Sequence, residues 1–180
     1  MPEKYIGVFD SGLGGLTCVK ELMEILPDEP IVYFGDTGRV PYGSKSNETI
    51  IKYVKSDIKF LQSFDLKMIV VACGTASAIA LPQLREELPV PTFGVVDAAS
   101  VAAANATKNK RVGIIGTAGS IRSGAYEKKI AEINPEIETI FFMTNPSLRC
   151  ISSTVVRDLL KHNYPVDEFV PEAVCKSISL

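Results

Sequence analysis

Histidine and tryptophan are nearly missing from this sequence: its 180 residues hold one histidine, His162, and no tryptophan. A single imidazole excludes His-rich metal sites and any mechanism that needs two histidines. The 4 cysteines have no close pairing, so they make neither a disulfide framework nor a zinc knuckle. A basic excess is lacking as well. With 19 Lys+Arg against 21 Asp+Glu, the chain is not an electrostatic nucleic-acid binder. No apolar run approaches the roughly 18 residues that a membrane span needs, because Asp97 breaks the longest candidate, residues 93–104. The opening MPEKYIGVFD has no apolar stretch of signal-peptide length. We therefore expect a soluble, cytoplasmic protein with no membrane or nucleic-acid partner. What is present is 46% hydrophobic and 22% charged residues with a net charge of −2. That balance is too apolar for disorder, and the length suffices for one core or two small lobes.

Short β-branched or aromatic runs bounded by Gly, Pro or Asp predict strands over 5–9, 31–34, 68–72, 92–96, 112–115 and 139–143. Helical periodicity fills the intervals. Leu16, Val19, Met23 and Leu26 share a face, and Pro27 ends that run. Ile50, Ile51, Val54, Ile58 and Leu61 form a second stripe, with Ser46 or Asn47 as N-cap. A third helix over 75–88 is expected to bend at Pro82, and helices over 97–108 and 120–133 complete the series. Strand then helix, repeated with short links, predicts an α/β protein with a parallel sheet covered by helices on both faces. Its strands should be fully buried. Ligands of such sheets sit beyond the carboxyl ends of the strands.

Four loops stand at those ends. Asp10-Ser11-Gly12-Leu13-Gly14-Gly15 can present backbone N–H groups to an anion at a helix N-terminus. It lacks the GxGxxG order of a dinucleotide loop, and a plain glycine turn is the alternative. Asp10, at a strand tip, is placed to orient or exchange a proton. Residues 35–44, GDTGRVPYGS, are longer than a plain strand–helix link and read as a binding loop or a stiffened surface loop. In Ala72-Cys73-Gly74-Thr75 the thiol meets a helix N-terminus, whose partial positive charge favours thiolate; a buried structural cysteine is the alternative. Cys18, inside a helical stripe, reads as core. In residues 115–124, Thr117 and Ser120 either cradle a carboxylate or phosphate or merely cap a helix.

In this order and spacing, VFDSGLGGLTCV, GDTGRVPYG, VACGTASA and GIIGTAGSIRSGAYE resemble glutamate racemase over residues 6–138. The resemblance implies two α/β lobes that close over free glutamate, and no cofactor or metal. One cysteine thiolate removes the α-proton and an opposite thiol reprotonates the other face, yielding D-glutamate for peptidoglycan synthesis. It makes Cys73 the first catalytic cysteine and Asp10 the carboxylate that assists it. Ser11, Tyr42, Gly43, Gly74 and Thr75 fall at substrate-holding positions. Residues 1–97 would be the first lobe and 98–138 the start of the second. There are two departures. The family's Ala-Cys-Asn-Thr has Gly74 in place of asparagine here, a lost amide that costs about 1–3 kcal/mol of positioning. The second motif, Gly-Cys-Thr-His, is not in the sequence, so racemisation is expected to be impaired. Cys150 is the remaining thiol that precedes a helix start.

From Thr139 the sequence changes character. Ile151-Ser152-Ser153-Thr154-Val155-Val156-Arg157 and the later PVDEFVP resemble the C-terminal part of phosphopantetheine adenylyltransferase. That resemblance implies that Ser152, Ser153, Thr154 and Arg157 hold the phosphates of a nucleotide such as ATP. The same family needs an HxGH motif, which His162 alone cannot supply. Residues 139–180 therefore read as an adenylyltransferase-like segment of a chimera, joined to the body between Pro135 and Phe142. Three readings follow: a glutamate racemase, a nucleotide-binding fragment, and an inactive scaffold. Apolar surface left bare by the missing racemase segments would favour a homodimer.

Overall fold

Every strand pairing among the described residues is parallel. The computed structural model describes residues 4–141 and 153–178, and the chain divides into two units, Met1–Phe141 and Phe142–Leu180. In the first unit, β1 (Tyr5–Asp10), β2 (Ile31–Gly35), β3 (Leu66–Val71) and β4 (Thr92–Gly94) form one sheet in the order β2-β1-β3-β4. A second sheet pairs β5 (Arg111–Ile114) with β6 (Glu138–Phe141). The helices of this unit are α1 (Leu16–Ile25), α2 (Asn47–Leu61), α3 (Gly74–Ile79), α4 (Leu81–Leu84), α5 (Val95–Ala106), α6 (Ala118–Arg122) and α7 (Ala125–Ile133). The second unit contributes α8 (Ser153–Lys161) and α9 (Glu172–Ile178). The α/β class with a parallel sheet is as expected. Both sheets lie in the first unit, and positions 97 and 98 fall within α5.

Sequence explains most of this locally. The stripe on α2 buries Ile50, Val54, Ile58 and Leu61, each worth roughly 1.5–3 kcal/mol when removed from water. Ser46 caps α2 by accepting the Thr49 N–H at 3.3 Å. Against that face lie Phe9, Ile69 and Val71 of the sheet, in a core that extends to Ala76, Ile79 and Leu81.

Several expectations change. β4 stops at Gly94 because Val95 and Val96 already belong to α5. The helix over 75–88 breaks at Ala80 rather than bending at Pro82. The proline takes the first turn of α4, where its missing N–H would have had no helical partner. No residue of α1 is buried, and Met23 and Ile25 are 60% and 70% exposed. Of the face formed by Leu16, Val19, Met23 and Leu26, only Val19 is half-buried. Nor are all strands buried on both faces. β1 is buried beyond its first residue, β2 is half-buried throughout, and β5 and β6 alternate, with Val112, Ile114 and Phe141 inside and Gly113 and Ile140 outside. The reason is that α5 and α7 reach that pair through Ala104 and Ile130, on the Ile114 side.

Candidate active site

The four loops do meet at the carboxyl ends of the strands. Asp10 ends β1, and its Oδ2 accepts the N–H groups of Gly12 at 3.1 Å and Gly15 at 2.9 Å. The carboxylate thus folds the glycine loop back over itself and opens α1. Gly15 has to be glycine: a Cβ there would stand 2.6 Å from Asp10 Cβ and 3.1 Å from Ala72 Cβ. That close approach draws the loop after β1 against the segment after β3, which carries Cys73.

Cys73 is the N-cap of α3. Its sulfur receives the Ala76 N–H at 3.4 Å, and its S–H donates to Ser11 Oγ at 3.2 Å. It is 5% exposed. The residue belongs to the apolar core that includes Ala76 and Ile79, and its sulfur keeps these two polar contacts. It sits at a helix start, with the Ala76 N–H and a hydroxyl from the first loop as its polar neighbours. Cys18, on α1, is half-buried rather than core, and burial raises its pKa.

The remaining predicted residues divide. Thr75 is buried, and its Oγ1 lies 3.0 Å from Thr117 Oγ1. Thr117 in turn lies 3.0 Å from Ser120 Oγ and accepts the Ser120 N–H at 3.2 Å. Thr117 thus caps α6, one of the two readings that the sequence left open. The Thr117 and Ser120 hydroxyls bond to one another, and that of Thr117 also to Thr75, which ties α6 to α3. Gly43 packs its backbone onto Thr117, close enough that a Cβ would meet Thr117 Cβ at 2.7 Å. Tyr42 turns its side chain inward, 2% exposed, with its hydroxyl 2.5 Å from Asp36 Oδ2 and 2.7 Å from Asp57 Oδ2. The Tyr42 hydroxyl is thus engaged by two carboxyls. Gly74 stands at the first position of α3, where the nearest atom to a built Cβ is Tyr126 Oη at 3.7 Å.

Two tyrosines that the sequence did not single out border this site. The Tyr33 hydroxyl donates to Gly12 O at 2.7 Å. Burial, then the charges of Asp10 and Cys73, push its pKa up to about 12. Tyr126 is also raised, first by burial and then by the Cys73 charge. Tyr126 stands within the SGAYE run, so its position was on view. Tyr33 lies inside a strand that reads as ordinary core, and nothing local marked it.

Of the tail residues, Ser152 lies outside the described residues, as does Cys150. Ser153 and Thr154 open α8, and Arg157 is exposed along it. His162 is exposed in the turn after α8, as expected. No helix among the described residues is long and apolar enough to cross a membrane.

The sequence model of the Asp/Glu/hydantoin racemase family matches residues 14–140, the stretch that holds Gly15, Tyr42, Gly43, Cys73 and Thr117. The chain belongs to that family. Among curated proteins this member is 53% identical over 140 residues to a glutamate racemase of Geobacter metallireducens, covering 78% of this chain and 52% of that one. It is 46% identical over 132 residues to one of Aquifex aeolicus, covering 73% and 52%. Among solved structures it is similar to a glutamate racemase isoform of Bacillus anthracis, at TM-score 0.78 and 37% identity over 89% of this chain and 60% of that one. It is also similar to a glutamate racemase of Francisella tularensis in complex with D-glutamate, at TM-score 0.72 and 39% identity over 90% and 62%. The chain thus spans about half the length of the curated relatives it matches. The adenylyltransferase reading of residues 139–180 gains no support from these comparisons.

Proposed function

We propose that this chain acts on glutamate as a cofactor-independent racemase does, with Cys73 as the base for one face of Cα. The observation that carries this is the placement of Cys73 Sγ at the start of α3, against Ser11 of the loop that Asp10 shapes. An α-proton flanked by a carboxylate and an ammonium is weakly acidic, so the site must stabilise developing negative charge with fixed donors. The thiolate takes that proton, the C–H electron pair stays on Cα, and the S–H so formed returns a proton to the same carbon. Inversion needs an acid on the opposite face. The family's Gly-Cys-Thr-His motif, which would bring the second thiol, is not in the sequence, so exchange without efficient inversion is the expected outcome. Asp10 serves through the loop it folds, and Ser11, Tyr42, Gly43, Gly74 and Thr75 are the proposed substrate-holding positions. The relatives' identity as glutamate racemases, one of them solved with D-glutamate, supports glutamate as the substrate. D-glutamate for peptidoglycan and a cytoplasmic location belong to the same proposal.

In deuterated buffer, glutamate should gain deuterium at Cα with the wild-type protein and lose that exchange by ~10²-fold or more with Cys73→Ser, the range of a positioned base. Equal exchange in both proteins refutes the assignment. Iodoacetamide labelling gives a second reading: glutamate should protect Cys73 but not Cys18. A homodimer is part of the proposal, supported by the bare Leu16, Met23 and Ile25 of α1, and sedimentation decides it. Nucleotide binding through Arg157 rests on the sequence motif alone; ATP affinity unchanged by Arg157→Ala removes it.

A further inference from the structure

Beneath the loop that carries Gly43 lies a buried ionic cluster which the proposed chemistry does not use. Asp57, on α2 and 1% exposed, and Asp36, 6% exposed, stand on either side of the Tyr42 hydroxyl. Arg39 joins both carboxyls, with Nε 2.7 Å from Asp36 Oδ2 and an amino group on Asp57 Oδ1. Its guanidinium lies 4.5 Å over the Tyr53 ring, one turn earlier on α2. Asp36, Arg39 and Tyr42 are the ionisable groups that bear on Asp57.

Counting protons decides the chemistry. Two short oxygen–oxygen contacts need a proton each, and a phenol brings one. The second has to sit on a carboxyl. With both carboxyls ionised, a buried carboxylate would face the phenol oxygen with nothing between them, a bare repulsion in a site of low dielectric. With one proton kept, Asp57 O–H donates to Tyr42 Oη, Tyr42 O–H donates to Asp36, and Arg39 neutralises the charge that remains. Asp57 is the more buried of the two, and burial raises its pKa, with the Asp36 charge adding to the rise, against the lowering effects of Tyr42 and Arg39.

We propose that Asp57 is a positioning residue: it keeps a proton, donates it to Tyr42, and so holds the Tyr42–Ser44 turn that presses Gly43 onto Thr117 at the rim of the site. The link to glutamate rests on the function proposed above; the proton and the hold on the turn do not. The path from Asp57 runs through Tyr42 and Gly43 to Thr117, then Thr75, which is two residues from Cys73.

The sign of the pH effect follows. A group whose folded-state pKa lies above its unfolded value, about 3.9 for aspartate, takes up a proton on folding. Its contribution is complete below the unfolded value and is lost as pH rises through the folded one. Urea unfolding of the full chain should therefore show the wild-type folding constant falling, relative to Asp57→Asn, by up to tenfold per pH unit above about pH 4. The asparagine amide donates to Tyr42 at every pH and has no such step. Parallel profiles for the two proteins overturn the proposal. Infrared spectroscopy of the wild-type protein, which needs no variant to fold, should show a protonated carboxyl band that outlasts the titration of the exposed carboxyls as pH rises; its absence overturns the proposal equally. For the hold on the turn, Asp57→Ala should raise the glutamate concentration that half-protects Cys73 by about tenfold or more, and Asp57→Asn should restore it. Equal values for the two variants refute the positioning role. If glutamate protects no variant, including wild type, the substrate reading fails, while the ligand-free profiles and the infrared band still decide whether Asp57 keeps the proton.

Discussion

Replacing Gly43 by alanine tests whether the loop after β2 is wedged against Thr117. The added Cβ would lie 2.7 Å from Thr117 Cβ, 2.9 Å from Cγ2 and 3.1 Å from Oγ1, all inside the roughly 3.5–4.0 Å of good carbon contact. Either the Tyr42–Ser44 turn lifts or Thr117 swings away. Both are costly. The turn is held by the Tyr42 hydroxyl on Asp36 and Asp57, and Thr117 accepts the Ser120 N–H and lies 3.0 Å from both Thr75 Oγ1 and Ser120 Oγ. Overpacking of this kind costs about 1–3 kcal/mol, and each hydrogen bond given up adds about 0.5–1.5. We expect Gly43→Ala to lose about 2–4 kcal/mol in urea unfolding. Thr117→Gly removes all three clashing atoms, so in that background the same substitution should cost less than about 0.5 kcal/mol, a coupling that a double-mutant cycle reads directly. An equal cost in both backgrounds, or a cost below about 0.5 kcal/mol with Thr117 in place, refutes the wedge.

Two further substitutions probe neighbouring points. Gly74→Asn should fold normally, because the nearest atom to its Cβ is Tyr126 Oη at 3.7 Å; restoring the family's amide should tighten glutamate protection of Cys73 by roughly tenfold, the effect of about 1.4 kcal/mol, and no tightening means that the amide does not reach the ligand. Ser100→Ala should stabilise the chain by roughly 1 kcal/mol in thermal or urea unfolding, since Ser100 Oγ on α5 is buried without a hydrogen-bond partner among the described residues and alanine is the better helix former; a loss of stability would show that the hydroxyl makes a bond that counts.

The parts of the fold that sequence disclosed were those decided within a few residues. β-branched runs marked the strands, though 92–96 ran two residues into α5, because Val95 and Val96 suit either state. Cys73 was legible as a helix-start thiol because the strand, the turn and the helix that place it are contiguous. The α1 stripe shows the limit. Its spacing was read correctly as an amphipathic helix, but whether such a face is buried depends on which other segment reaches it.

By itself the sequence determined the parallel α/β class, the loops that gather at the strand tips, and the thiol at the start of α3, since all of these follow from local pattern. Tertiary structure alone decided that Thr117 bonds to Thr75, that Tyr42 points into the core, and that Tyr33 and Tyr126 border the sulfur. It also set Asp57 of α2 beside Asp36 of the loop after β2. The physical reason is that a hydroxyl or carboxyl takes its role from the partner it meets, and these partners come from elements that only packing brings within hydrogen-bond distance.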